Sequence, residues 1–197
     1  MSIVVEHEKR RKEILEKSLD VFVDSGFENA TFQKIADHCG ITRTTLYLYF
    51  KNKKEIFNYS IKLLLTKVEE NIQDVVSDAS LGYIEKITKI LLDIFKRLEE
   101  NRRLLSVVLD YLLHLSKNNG EPEQRVRRRT LKLRHILSSL IIKGIKSGEI
   151  KPLDVKTANE YLYGIIEAAI FRMVVLQRKT AGDLRKTAIF AVRCLET

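Results

Sequence analysis

Seven residues around position 45 could do chemistry on a polyanion. Arg43, Thr44, Thr45, Tyr47 and Tyr49 crowd one short stretch, with Thr42 just before it and Lys53 just after. Guanidinium, hydroxyl and phenol groups suit base edges and phosphate oxygens. Lys53 falls where a helix should begin, and a cation there opposes the helix dipole. A nearby phosphate would account for it. The set is not catalytic. No carboxylate pair shares helical spacing with a histidine, and there is no glycine-rich phosphate loop or nucleophile motif. The chain therefore does not read as an enzyme, and no cofactor is implied. His38 and Cys39 adjoin but have no further ligand at zinc spacing, so no metal site is expected. Cys39 and Cys194 match no disulfide framework. Both read as small buried hydrophobes.

The flanking residues specify how such a set is held. Thr31 is a good N-cap for a short helix over Phe32–Cys39. Ala36, small in its middle, permits a close helix crossing. Gly40 supplies a left-handed turn residue, Ile41 can plug the gap beside it, and Thr42 caps a second helix from Arg43. Leu46 and Phe50, four apart, can face the core together, which turns the polar residues outward. Asn52 can cap the next helix. Helix, short glycine turn, helix is the frame that presents its second helix to a DNA major groove. Thr31, Thr42, Arg43, Thr44, Thr45, Tyr47, Tyr49 and Lys53 are the expected DNA contacts.

The run Gly40-Ile41-Thr42-Arg43-Thr44-Thr45-Leu46-Tyr47-Leu48-Tyr49-Phe50-Lys51-Asn52-Lys53 closely resembles the recognition helix and following turn of the TetR (tetracycline-repressor-like) family. Gly26-Phe27, Ala30-Thr31 and Ile35-Ala36 match upstream, so the motif spans about residues 10–57. Ser147-Gly148-Glu149-Ile150 also looks familiar for the family. A histidine is frequent in related members where this chain has Tyr49; the phenol can still donate to a phosphate. The resemblance implies a dimeric, usually repressive regulator. Its three N-terminal helices would bind an operator, and its C-terminal helices would pair and enclose an effector pocket.

The rest of the chain reads as all-α. With two prolines and eight glycines in 197 residues, long stretches are free to be helical. Apolar residues recur at three- and four-residue steps. One stripe runs from Ile14 to Val23 and ends at Gly26. Further helices are expected over about 53–76, 83–100, 103–116, 123–146, 155–177 and 181–195, making nine. The division expected is a DNA-binding domain over 1–52 and a helical sensing and dimerisation domain over 53–197. No apolar run approaches the roughly 18 residues a membrane span needs. The charged N-terminus is no secretory signal, and the cytoplasm is the default compartment.

The net charge of +9 permits a polyanionic partner but does not locate its site. Nine basic and three acidic residues lie between 121 and 151, around Arg125–Arg134, whereas 1–59 carries ten and nine. That basic run is either a solvated face or an anion-binding surface. Apolar faces over about 60–177 exceed what a pedestal needs. They suggest a small, largely apolar effector near Phe95, Val108, Tyr111, His114, Leu137, Ile141, Glu167 and Phe171. Glu167 and Asp110, each in an apolar helix, call for a partner, which is Arg103, Arg172 or a ligand. Tyr161, Gly164, Ile165, Ala168 and Arg172, at helical spacing around two small residues, suit a helix pair across the two-fold axis of a homodimer. Expected partners are thus double-stranded operator DNA, a small-molecule effector and a second copy of the chain. A protein–protein adaptor is the competing reading, but it would not need polar groups suited to base edges.

Overall fold

The computed structural model describes the backbone of residues 2–117 and 122–197, and the side chains of 5–116 and 131–197. Among these residues there are nine helices and no strand: α1 (Ser2–Asn29), α2 (Phe32–Cys39), α3 (Arg43–Tyr47), α4 (Lys53–Ser77), α5 (Tyr83–Glu100), α6 (Arg102–Lys117), α7 (Pro122–Ser147), α8 (Val155–Val174) and α9 (Gly182–Arg193). The expected order is met. The differences are at helix ends. α1 begins at Ser2 rather than near Ile14, and it bends at Gly26. α3 stops at Tyr47, and Leu48 and Tyr49 complete the turn. α8 stops at Val174, short of Gln177, whose φ is 51°.

The chain forms two compact units, one of residues 1–69 with 106–111 and one of 70–105 with 112–197. In the first, the stripe of Ile14, Leu15 and Phe22 meets Ile35, Ala36, Leu46 and Phe50, all buried. Two hydroxyls are buried within it. Ser18 donates to the Ile14 carbonyl, and Ser60 of α4 donates to the Leu15 carbonyl at 2.8 Å, which ties α4 to α1. The unit runs past residue 52 because Ile56 and Phe57 of α4 are buried in it. Phe57 packs against Phe22, Phe27 and Tyr111, with ring centroids 4.8, 5.1 and 5.0 Å apart.

The second unit is built around α5. Ile84, Ile87, Ile90, Leu91, Ile94 and Phe95 recur at three- and four-residue steps and are buried, and α5 packs against α7, α8 and α9. Two carboxylates hold helix starts by reaching across the sequence. Glu99 accepts from the Ala181 N–H and pairs with Arg185 at the start of α9. Glu149 accepts from the Tyr83 and Ile84 N–H groups at 2.7 and 2.8 Å, at the start of α5. These are donors a helix cannot satisfy itself, and the dipole favours an anion there. A Cβ at Gly82 would lie 2.6 Å from the Glu149 carboxylate, so a side chain there would require the carboxylate to shift. Glu149→Ala should therefore cost about 1–3 kcal/mol, as two donors lose their acceptors. Urea unfolding with an unchanged midpoint would contradict this.

Three sequence-based expectations are corrected here. Cys194 is exposed at the end of α9, whereas Cys39 is buried as expected. Glu167 and Asp110 are both exposed, so solvent meets their carboxylates. Each lies on the outer side of a helix whose other side carries the apolar residues.

Candidate nucleic-acid interface

The helix-turn-helix is assembled by local bonds that its sequence dictates. The Thr31 hydroxyl oxygen accepts from the Lys34 N–H at the start of α2. At its end Gly40 adopts φ 68°, ψ 35°. The Ile41 N–H donates to the Ala36 carbonyl and the Gly40 N–H to the Asp37 carbonyl, the paired bonds of a left-handed helix stop. Thr42 then caps α3, accepting from the Thr45 N–H at 3.0 Å, and the two threonine hydroxyls lie 2.8 Å apart. Leu46 and Phe50 are buried. They fix the rotation of α3 and leave Arg43, Thr44, Tyr47 and Leu48 exposed on one face. Asn52 caps α4 by accepting from the Glu55 N–H.

The polar groups are partly ordered by one another. Arg43 Nη2 donates to Tyr47 Oη at 3.1 Å, and the Tyr47 ring packs on Phe32 at 4.6 Å. Tyr47 is still 50% exposed. Tyr49 is half-buried and stacks on His7 of α1, with centroids 4.6 Å apart and planes at 22°. Nothing in the sequence points to His7, which is 42 positions away.

Lys53 has a partner the sequence does not reveal. Its ammonium donates to the Phe27 and Glu28 carbonyls at 2.9 and 2.7 Å and lies 4.8 Å from the Phe27 ring centroid. A cation at the start of α4 thus meets carbonyls near the end of α1, which relieves its conflict with the dipole of its own helix. The eight expected DNA-contact residues all belong to the first compact unit.

Cys39 takes no part. Burial pushes its thiol above the usual range, so it is not poised as a thiolate. No group of three or more His, Cys, Asp or Glu side chains among the described residues could hold a metal. No described helix is long and apolar enough to cross a membrane.

The residues suggested for an effector are distributed over both compact units. Phe95, Leu137 and Ile141 are buried in the second unit, Val108 and Tyr111 belong to the first, and His114, Glu167 and Phe171 are exposed. Tyr111 packs on Phe27 at 4.4 Å as well as on Phe57. Of the dimer set, Tyr161 is 51% exposed, Arg172 is exposed, Gly164 and Ala168 are part-exposed and Ile165 is buried. The side chains of Arg125, Arg127, Arg128 and Arg129 lie outside the described residues. Lys132 is exposed, and Arg134 pairs with Glu160 and covers the Tyr163 ring at 4.3 Å. That hydrogen bond holds the Glu160 carboxyl below its usual range.

Residues 14–59 match the profile of a family described as bacterial regulatory proteins, tetR family. The chain is 28% identical over 175 residues to the fatty acid metabolism regulator protein of Bacillus subtilis, covering 87% of this chain and 88% of that protein. Among solved structures, a TetR transcription regulator from Haloarcula marismortui superposes with a TM-score of 0.83 at 22% identity, over 96% of this chain and 100% of that one. The transcriptional regulator FadR from Bacillus subtilis, in complex with stearoyl-CoA, superposes with a TM-score of 0.69 at 28% identity, over 94% and 97% of the two chains.

Proposed function

We propose that this chain, whose residues 14–59 match the profile of the tetR family of bacterial regulatory proteins, is a ligand-responsive repressor of that family that releases a palindromic operator when a small, largely apolar effector binds. The observation that carries the reading is the exposed face of α3. Arg43, Thr44 and Tyr47 stand outward on a helix whose start is capped by Thr42 and whose rotation is fixed by Leu46 and Phe50. Thr31, Thr42, Arg43, Thr44, Thr45, Tyr47, Tyr49 and Lys53 are the proposed contact set, within a DNA-binding domain over 1–52. Two such heads on a symmetric dimer would read half-sites one helical turn or somewhat more apart. A salt-dependent gel shift with genomic fragments tests the DNA step; no retardation of any fragment would sink it, and uniform retardation of all would remove the operator.

The proposed dimer face is the outer side of α8. Tyr161, Gly164, Ala168, Phe171 and Val175 follow one another at steps of three and four. Phe171 and Val175 are 54% and 60% exposed, and nothing lies within 4 Å of a Cβ built on Gly164. An apolar, small-centred stripe left in solvent by one chain suits a second copy.

For the effector, Phe95, Leu137 and Ile141 in the interior of the second unit are the candidates to vary first, and the stearoyl-CoA held by a relative makes a long acyl thioester the first compound to try. α4 contributes residues to both compact units, and a ligand that prefers one conformation of the sensing domain would act on the reading head through it. Only differential affinity shifts such an equilibrium. By linkage, operator DNA must then weaken ligand binding by the same factor that ligand weakens operator binding. Stearoyl-CoA titrated with and without a saturating operator fragment should give two affinities. Equal affinities from measurable binding would remove the coupling.

A further inference from the structure

The expected DNA contacts leave out the most exposed large apolar side chain on the reading face. Leu48 is 74% exposed, more than any other large apolar side chain among the described residues. Its backbone is not loose. It sits at φ −68°, ψ −22° and its N–H donates to the Thr45 carbonyl at 3.1 Å. Leu46 and Phe50, two residues to either side, are buried, so chain direction alone sends Leu48 outward. Thr44 lies four residues earlier on the same exposed face. The face therefore carries two adjacent rows. One is polar, with Arg43 bonded to Tyr47. The other is the row of Thr44 and Leu48, ending in methyl groups.

We propose that Leu48 reads the C5-methyl group of a thymine in each operator half-site. A leucine has no hydrogen-bonding group, so it cannot read the donor and acceptor pattern of a base edge. The one apolar feature that distinguishes base pairs in the major groove is the thymine methyl. A phosphate would gain nothing from it. Continuity with the Arg43–Tyr47 row argues for DNA as the occupant rather than another protein. This inference rests on the DNA-binding reading above, and its test separates the two.

The full-length protein is used to select its preferred sequence from random DNA, and each thymidine of that sequence is then replaced singly by deoxyuridine, which lacks only the methyl. Affinities are read by fluorescence anisotropy for the native chain, Leu48→Ala and Leu48→Met. At one thymidine per half-site the replacement should weaken the native chain about three- to fivefold, the worth of one buried methyl. Leu48→Ala should lose that sensitivity and Leu48→Met should keep it, while other deoxyuridine positions affect all three alike. Matching melting curves establish that the variants are folded. The proposal is overturned if no thymidine is methyl-sensitive, or if the sensitivity persists in Leu48→Ala. It is equally overturned if Leu48→Ala weakens every sequence alike, which would place the side chain against deoxyribose, or changes the oligomeric state, which would place it against a second copy. If the native chain selects no sequence at all, the DNA-binding reading falls and this falls with it. A selected sequence with the wrong methyl pattern removes only Leu48.

Discussion

Replacing Ala168 by glutamate is expected to give a monomer whose operator affinity falls by about two to four orders of magnitude. The proposed interface sets one α8 against its symmetry mate. Each copy then meets its partner near the axis, so one substitution places two carboxylates close together. Burying them is costly even with Arg172 one turn away, and Ala168 sits mid-stripe one turn from Gly164, where the face is made of small residues. Loss of the dimer removes the tether between the reading heads. A tether raises the effective concentration of the second head enough to add roughly 10²–10⁴ to overall affinity. Because Ala168 is part-exposed in one chain, the variant should keep its helical content and melt cooperatively. Sedimentation at micromolar concentration checks the state and anisotropy checks the DNA. A native chain that sediments as a monomer, or a glutamate variant that remains dimeric, would remove this interface.

Arg43→Ala and Tyr47→Ala should each lose on the order of 1–3 kcal/mol of preference for the operator over unrelated DNA. The two are bonded to each other, so removing either frees and disorders the other. The double variant should therefore lose less than the sum of the singles. Lys53→Met offers a contrast. It should weaken all sequences alike and reduce the salt slope by about one ion. Folded variants at 43 and 47 that bind operator as tightly as the native chain would end the assignment of α3 as the reading helix.

The parts of this architecture that follow local rules are readable in one dimension. Thr31, Gly40, Thr42 and Asn52 each act on backbone within five residues, and all four do what their types predict. The burial of Leu46 and Phe50 follows from spacing alone. What depends on distant chain is not readable. Lys53 reaches carbonyls 25 and 26 residues earlier, and His7 meets a ring 42 residues later. Glu149 belongs to a motif that can be picked out by eye, yet its work at the start of α5 is visible only in three dimensions. Cys194 and Glu167 show the same limit. A periodic pattern identifies a helix, but one residue can fall on either side of the boundary between interior and solvent. The start of α1 is illegible for another reason: Ser2–Lys12 carries too little apolar sequence to display a period.

The carboxylate of Glu149 lies so close to Gly82 that a side chain at 82 would require it to move. A side chain at 82 would push the acceptor against the Tyr83 and Ile84 amides it serves, so changes at 82 and 149 act on the same two bonds. In a combinatorial library the pair would show strong epistasis. Glutamate at 149 would be favoured most beside glycine at 82, and a bulkier residue at 82 would reduce its advantage. Sixty-seven positions apart in the chain, the two meet at one pair of backbone amides.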